Sequence, residues 1–238
     1  SYLYEDKATL AQQIEDIQYS NCCALILLGT EMNEIDLEPF LELPMPIVLL
    51  DAYFETASCN CVLINNIQGA YLATRYLVQK CHVQPGYLKS SYSISNFAER
   101  TSGFYKAVRS CGMSSYNSII HELSPSIEGA HSDMLRIIEN GESLASCYFA
   151  DNDLIAIGAI QALKEKGYHI PEDISIIGFD NQPMSRIIEP SLSTIHVPKQ
   201  YMGEIAALRV IELLEFPSNL PVKTEISTVL IERDSVKK

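Results

Sequence analysis

The feature that most constrains this fold is the alternation of short apolar runs with longer amphipathic segments along nearly the whole chain. The apolar runs predict strands at 24–28, 47–50, 62–64, 86–89, 118–121, 147–150, 174–178 and 225–231. The intervening segments predict helices at 7–18, near Leu37, and at 68–79, 97–111, 127–139, 154–166 and 201–214. Continuous apolar strands that alternate with helices are typical of parallel sheets covered on both faces. Because the strands outnumber those of one modest sheet, we predict an α/β fold with two doubly wound parallel-sheet lobes.

Length and charge narrow the class of protein. With 238 residues the chain can form one large domain or two lobes with ample core. The net charge of −13 argues against binding nucleic acid by bulk electrostatics, which relies on clustered Lys and Arg. No apolar run approaches the roughly 18 residues that span a bilayer, and no basic-then-apolar leader is present. We therefore expect a globular protein that does not bind membranes.

The cysteine pattern favours a reducing compartment. Their number is odd and no C-x-x-C occurs, so a disulfide framework is not indicated and a cytoplasmic location is expected. The pair Cys59 and Cys61 has two interpretations, a soft-metal site or buried free thiols, and the thiols are favoured. We accordingly predict neither a metal nor a cofactor. The seven cysteines are at 22, 23, 59, 61, 81, 111 and 147.

Polar residues interrupt two apolar segments in "YFADNDLIAIGAIQAL". Residues 151–153 directly follow the predicted strand 147–150, and Asp180 and Asn181 follow the strand 174–178. These strands flank one helix in a βαβ unit and run in the same direction, so both polar groups should lie at one carboxyl edge. Ligands of open α/β sheets bind at that edge.

Two interpretations of the 151–153 segment stay open. Asp151 or Asp153 can cap the following helix, and then Asn would replace Asp153 with little effect. Alternatively, the carboxylates and amides at this edge bind the hydroxyl groups of a polyhydroxylated ligand, with Asp180 taking part. Helix capping alone does not account for Asp180, which ends a different strand.

A second candidate lies in "NFAERTSGF". Asn96 and Glu99 have the spacing of a capping box, which places Arg100 in the first turn of a helix. The helix dipole disfavours a cation there, and a local rule broken at one position often marks a site. Arg100 offers a fork of donors for sugar or carboxylate oxygens. The alternative is a surface arginine paired with Glu99.

Several longer blocks carry a family resemblance: "NNIQGAYLATRYLV", "ERTSGFYKAVRSCG", "ADNDLIAIGAIQALKEKGYHIPEDISIIGFDN" and "EPSLSTIHVPKQYMGEIAA". In order and spacing they resemble the effector-binding core of the LacI/GalR family of bacterial transcription regulators. That core shares the fold of periplasmic sugar-binding proteins (periplasmic binding protein-like I). The resemblance covers residues 2–235 and implies two Rossmann-like lobes, joined by three crossovers, with a small effector bound between them.

The resemblance also implies lobe boundaries. It gives an N-lobe of 1–65 plus 197–220 and a C-lobe of 66–196 plus 221–238. The family's DNA-binding helix-turn-helix has no counterpart here. The first strand and helix of the N-lobe also have none, since "YLYED" resembles the region of the family's second strand.

Four site residues follow from the resemblance. Arg100 matches the family's ligand-clamping arginine, and Asp153 matches a helix-start aspartate that binds effector hydroxyls or ring atoms. Asp180 matches the strand-end aspartate that related sugar receptors use. Asn65, at the first crossover, occupies a position that often holds a pocket-lining Asp.

The platform on which a ligand would stack is less defined. Leu123 stands where several relatives have an aromatic residue that stacks on the ligand, and this aliphatic side chain departs from that pattern. Phe97 or Tyr148 is the alternative platform. His196, at the second crossover, has two interpretations, a residue that lines the cleft or, as favoured, a histidine satisfied by its neighbours.

The function implied is ligand sensing without catalysis. No H-E-x-x-H, G-x-S-x-G, G-x-x-x-x-G-K-[ST] or G-x-G-x-x-G motif occurs, and the histidines are scattered. The resemblance implies a repressor-type regulator that binds a sugar or sugar-like metabolite, forms a homodimer, and contacts operator DNA through a separate domain. The alternative is an extracytoplasmic sugar-binding receptor of a transport system.

Overall fold

The chain divides into two compact units in a computed structural model that describes residues 7–218 and 220–238. The first unit contains residues up to 64 together with 198–226, and the second contains 65–197 with 227–238. The chain thus passes from one unit to the other after Ile64, Val197 and Ile226. The "YLYED" segment lies outside the described residues. Within them, no helix combines the length and the apolar character needed to cross a membrane.

The elements alternate as the sequence pattern predicts. The helices are α1 (Lys7–Tyr19), α2 (Glu34–Leu41), α3 (Asn66–Cys81), α4 (Ser95–Ser110), α5 (Ile127–Glu139), α6 (Asp153–Glu165) and α7 (Lys199–Glu215). The strands are β1 (Leu25–Leu28), β2 (Ile47–Leu50), β3 (Asn60–Ile64), β4 (Gly86–Ser90), β5 (Ile120–Leu123), β6 (Cys147–Ala150), β7 (Ser175–Asp180), β8 (Ser193–His196), β9 (Lys223–Ile226) and β10 (Val229–Ile231). Two 3-10 turns are Ser115–Asn117 and Pro183–Arg186.

The first unit is built on a four-stranded parallel sheet in the order β1-β2-β3-β9. Its core joins the buried strand residues Leu27, Leu49 and Leu63 to α2, whose Leu37 and Phe40 are almost wholly buried. Helix α1 packs against the same core, and α7 contacts β1, β2 and β3. Strand β1 lies at one edge of this sheet, and among the described strands it pairs with β2 alone.

The second unit contains a six-stranded sheet in the order β10-β8-β7-β6-β4-β5. All neighbours are parallel except β10, which runs antiparallel to β8. The rings of Tyr87, Phe104 and Phe149 stack on the α4 side, with centroids 4.9 Å and 5.2 Å from the Tyr87 ring. On the opposite face, α5 and α6 cover a core that includes Leu88 and Tyr148. Helices on both faces confirm the α/β fold with parallel sheets.

Two strand predictions need correction. The region 225–231, predicted as one strand, forms two strands in different sheets, with β9 beside β3 and β10 beside β8. Strand β8 was not predicted, because its Ser193 and Thr194 interrupt the apolar pattern although both are buried. The resemblance assigns 221–238 to the C-lobe, whereas β9 belongs to the first unit. Its sequence KTEI carries no apolar run from which the pairing could be inferred.

Candidate ligand-binding site

The strands β4, β6 and β7 are parallel neighbours, so their carboxyl ends lie at one edge of the six-stranded sheet. They end at Ser90, Ala150 and Asp180. Residues 151–153 and Asp180 consequently share that edge, as the sequence predicts. This is where open α/β sheets bind ligands.

The local context of Arg100 differs from the prediction. Helix α4 begins at Ser95 and has no side-chain cap, so the predicted capping box of Asn96 with Glu99 is wrong. Arg100 lies in the second turn, and the argument from a cation in the first turn no longer applies. Glu99 instead accepts a hydrogen bond from Nδ2 of Asn66, at 2.9 Å.

Arg100 nevertheless lies at this edge and contacts several of its polar groups. It is 5% exposed, and its guanidinium donates to the Asn66 side chain at 3.0 Å, the Asp151 carbonyl at 2.5 Å and the Asp180 carboxylate at 3.2 Å. The same group lies 3.8 Å from the centroid of the Phe179 ring. It is therefore not a surface arginine. Since a buried cation without its partners is costly, the acceptors on Asn66, Asp151 and Asp180 are needed to hold Arg100 in this position.

Arg100 contacts two acidic residues, Asp151 and Asp180, and of these only Asp180 remains in contact with solvent. Its side chain is 20% exposed, against 6% for Arg100. Asp180 and Asn181 both have positive φ, 101° and 51°, which is uncommon for residues other than glycine and clusters at functional sites. Asn181 faces Nδ1 of His196 at 3.1 Å, which supports the interpretation of His196 as a histidine satisfied by its neighbours.

The 151–153 segment has three separate roles. Asn152 caps α6, since its side chain accepts a hydrogen bond from the Ile155 amide at 2.9 Å, so neither aspartate is the cap. Asp151 has no exposed surface and accepts hydrogen bonds from the Tyr87 hydroxyl and, at 2.6 Å, from the Ser90 amide. Burial raises the pKa of Asp151 to about 6 although these donors lower it. This carboxylate thus joins β6 to β4.

Asp153 is equally buried and is used within the fold. It accepts hydrogen bonds from the Thr194 hydroxyl at 2.6 Å and the Gln182 amide at 2.7 Å. Burial raises its pKa to about 7, opposed by those two donors, and the Asp180 charge adds to the rise. The glycine at position 178 makes room for the Asp153 carboxylate, because a Cβ on Gly178 would collide with it. Asp153 therefore positions the loop after β7 and has no oxygen left without a donor.

The remaining predicted residues fall into two groups. Asn65 is the N-cap of α3 and accepts from the Gln68 amide at 2.7 Å. Leu123 and Tyr148 have no exposed surface, and the Tyr148 hydroxyl accepts from the Ala145 amide at 2.7 Å. Tyr148 as a stacking platform is therefore wrong, because its ring belongs to the α5–α6 core. Leu123 lies in the same core.

Phe97 is the one proposed platform whose ring lies beside the cluster. It is half-buried, and its centroid is 5.4 Å from the Arg100 guanidinium carbon. Within the second unit the structure thus brings together Arg100, Asp180 and Phe97. Sequence reasoning missed Asn66, which bridges Arg100 and Glu99; its only signal was its place next to a helix-capping asparagine.

The first unit has a comparable strand end that the sequence analysis also missed. Asp51 follows β2 with a φ of 61°, and its carboxylate accepts a hydrogen bond from the Thr30 hydroxyl at 2.8 Å. The available signal was an aspartate directly after the apolar run IVLL, as in the run that ends at Asp180. The described residues contain no group of three or more His, Cys, Asp or Glu side chains that could hold a metal ion.

Comparison with known proteins gives the family. Residues 74–236 match the periplasmic binding protein-like domain. The chain is 29% identical over 235 residues to the HTH-type transcriptional regulator GalR of Escherichia coli K12, covering 98% of this chain and 68% of GalR. It is 34% identical over 194 residues to the HTH-type transcriptional repressor PurR of Mannheimia succiniciproducens, covering 82% of this chain and 58% of PurR. The chain belongs to the LacI/GalR family as an effector-binding domain.

A solved structure supports the same fold for this LacI/GalR domain. The LacI family transcriptional regulator of Enterococcus faecium with bound ribose superposes with a TM-score of 0.86. The superposition covers 100% of this chain and 86% of that one, at 24% identity. This LacI/GalR chain spans about two thirds or less of the length of the curated relatives that it matches.

Proposed function

We propose that this chain is the effector-sensing part of a LacI-type bacterial repressor and that a small sugar or sugar-like metabolite binds beside Arg100 and Asp180. The observation that carries the proposal is the pairing of a buried guanidinium with a partly exposed carboxylate at the carboxyl edge of a parallel sheet. Donor and acceptor there suit a ligand whose hydroxyl groups both donate and accept.

The cluster fits ligand binding better than catalysis. Arg100 is held by the Asn66 side chain and the Asp151 carbonyl, so it keeps its position whether or not Asp180 is paired with it. A ligand oxygen that approaches Asp180 thus meets a preformed cation in a low-dielectric setting, where charge-assisted hydrogen bonds are strong. Phe97 supplies an apolar ring next to the guanidinium. Such a mixture of a few polar groups with aromatic surface is typical of small-molecule sites.

The class of ligand rests on chemistry and on a relative. Paired carboxylate and guanidinium groups bind vicinal hydroxyls, and the Enterococcus faecium regulator has ribose bound. Asn65 and Asp153 shape this edge through their hydrogen bonds to the backbone, and Leu123 belongs to the core beneath it.

Regulation follows from linkage. A sugar controls the regulator only if its affinity differs between two conformations, one of which binds operator DNA better. In this proposal the protein acts in the cytoplasm as a homodimer and contacts DNA through a helix-turn-helix domain, as the names of its curated relatives suggest. The curated relatives are transcription regulators, which favours this function over an extracytoplasmic transport receptor.

The deciding experiment replaces Asp180 by Asn. The melting temperature of the wild type and of Asp180→Asn is measured with a panel of mono- and disaccharides, because ligand stabilisation follows the ratio of concentration to Kd. We expect Asp180→Asn to weaken binding by about 1–3 kcal/mol, since one acceptor oxygen is replaced by a donor. Asp234→Asn is the matched control, because Asp234 bonds Ser191 ahead of β8, at the opposite edge.

The two variants separate a specific effect from a general one. Asp234→Asn should keep the full sugar-dependent shift of the wild type. An equal shift for wild type and Asp180→Asn would remove Asp180 from the site. If no sugar of the panel shifts the wild-type melting temperature, the proposed ligand class is wrong.

A further inference from the structure

A second arginine, Arg233, bonds the loop that follows the proposed ligand site. Its guanidinium donates to three neutral acceptors, which are the side-chain oxygen of Asn181 at 2.5 Å, the Ser185 hydroxyl at 2.9 Å and the Leu192 carbonyl at 2.6 Å. All three acceptors belong to the connection between β7 and β8. The planar fork of a guanidinium can reach several acceptors at once, which a lysine ammonium cannot do in a fixed geometry. Arg233 thus joins the beginning, the middle and the end of this loop.

Asn181 depends on this contact because of its backbone. It follows Asp180, the partly exposed carboxylate of the proposed site, and both residues have positive φ. Two successive residues other than glycine keep such a conformation only where their neighbours hold it. The bond from Arg233 is charge-assisted and, at 2.5 Å, shorter than the contacts of Asn181 with His196 at 3.1 Å and Thr194 at 3.3 Å. Arg233 is therefore the main support of the backbone beside Asp180.

The donors of Arg233 also fix which way the Asn181 amide points. A guanidinium carries only donors, so the amide oxygen must face it and the amide nitrogen must face the other side. That nitrogen lies 3.1 Å from Nδ1 of His196. Because an amide NH2 only donates, Nδ1 must accept, and the neutral ring carries its proton on Nε2. His196 is the last residue of β8, and the chain leaves the second unit after Val197.

We propose that Arg233 is a positioning residue of the ligand site and that it acts through Asn181. By holding the amide of Asn181, it keeps the preceding backbone in the conformation that places the Asp180 carboxylate beside Arg100. Through the same amide it joins the ligand site to the end of β8. Its effect on affinity rests on the proposed function, whereas the orientation of Asn181 and the tautomer of His196 are independent of it.

The tautomer of His196 is measured by proton–nitrogen correlation NMR on the purified chain with labelled histidine, at a pH high enough to keep the rings neutral. The signals that are absent from His196→Gln identify the ring. We expect the Nε2–H form in the wild type. In Asn181→Asp the side chain has acceptors on both sides, so a proton should appear on Nδ1. A wild-type ring protonated on Nδ1, or an unchanged tautomer in Asn181→Asp, would overturn the orientation derived from Arg233.

The effect on affinity is measured by calorimetry, with the sugar that most raises the melting temperature of the wild type. Arg233→Met should weaken binding about tenfold, a usual size for coupling within one hydrogen-bond network. In an Asp180→Asn background the same change should cause no further loss, whereas a general structural role would lower affinity in both backgrounds. Arg186→Met is the matched control, because Arg186 is an exposed arginine of the same loop, and it should leave affinity unchanged.

Asn181→Gly provides a second variant in case Arg233→Met does not fold. Glycine removes the amide that Arg233 holds but adopts positive φ without strain, so the fold should be kept while affinity falls. Unchanged affinity in Arg233→Met or in Asn181→Gly would overturn the positioning role. If no sugar of the panel binds the wild type, the proposed function fails and the effect on affinity fails with it. The His196 tautomer would still decide whether Arg233 orients Asn181.

Discussion

At the scale of single residues, the buried carboxylate of Asp153 links the helix start to the loop that carries Asp180. Its two acceptor bonds, from Thr194 and Gln182, are made at the cost of removing a carboxylate from water. The pKa of Asp153 is raised to about 7 because the effect of desolvation exceeds that of the two hydrogen-bond donors. The native protein therefore binds this proton more tightly than the unfolded chain does.

A pH dependence follows for the free energy of unfolding. The folded-state pKa of about 7 lies above the unfolded value of about 3.9, so the native state holds more protons in between and stability falls as pH rises. We expect Asp153 to contribute a loss of about 2 kcal/mol between pH 5 and pH 7. Asp151, whose pKa is about 6, should add a smaller loss in the same direction. Urea titrations across this range measure the slope.

Asp153→Asn isolates the contribution of one residue. The amide resembles the protonated acid, because its oxygen can accept from Gln182 while its NH2 donates to the Thr194 oxygen. The variant should fold and should lose most of the Asp153 part of the slope. Parallel slopes for wild type and Asp153→Asn would show that this carboxylate does not titrate in the range.

The site shows what a sequence can and cannot specify at this scale. The direction of parallel strands placed Asp180 and residues 151–153 at one edge, because a βαβ unit permits no other arrangement. Which carboxylate stays accessible was not predictable, since one of the two donors to Asp153 is Thr194, 41 residues away on a strand with no apolar signal. The position of Arg100 was predicted through the family resemblance, while its partner Asn66 was not.

At the scale of elements, the close approach of α3 and α4 holds Asn66 beside Arg100. Gly103 permits that approach, because an added Cβ would lie 2.4 Å from the Ile67 carbonyl oxygen of α3. We expect Gly103→Ala to lower the unfolding free energy by about 1–3 kcal/mol, since two helix backbones must separate. Urea unfolding followed by circular dichroism measures the change.

Gly203→Ala in α7 is the matched control for that substitution. An added Cβ there meets no atom within 4 Å, so the variant should gain about 0.5–1 kcal/mol from helix propensity. Opposite signs for the two variants are expected. A stabilising Gly103→Ala would mean that α3 and α4 are not held by this contact.

Element prediction succeeded where the hydrophobic pattern was strong. Helix α5 and strand β6 begin and end where the sequence places them, because their flanking Ser, Gly and Asp residues give clear boundaries. Strand β9 is mostly polar and lies at the edge of its sheet, where pairing with β3 rather than burial defines it. Its burial alternates along the strand, but its sequence KTEI contains a single apolar residue, so the hydrophobic pattern could not separate β9 from β10.

At the scale of the whole molecule, net charge and exposed apolar surface have opposite effects on the association of two copies of this chain. Helix α7 exposes an apolar stripe of Leu208, Ile211 and Leu214, which are 60%, 51% and 43% exposed. Apolar surface of this kind tends to be covered in association, whereas a net charge of −13 makes two copies repel each other. Because salt screens the repulsion but leaves the apolar contact intact, association should strengthen as ionic strength rises.

The proposed homodimer can be tested through that stripe. Sedimentation velocity across a micromolar concentration series should show the chain passing from monomer to dimer, at lower concentration in high salt. Leu208→Asp should keep the fold, since the side chain is mostly exposed, and should shift the chain towards monomer because it places a charge in the apolar contact. Tyr116→Asp, at a position that is 97% exposed in the second unit, is the control for added negative charge. A monomer at every concentration would contradict the homodimer for this chain, and equal association of wild type and Leu208→Asp would place the contact on a different surface.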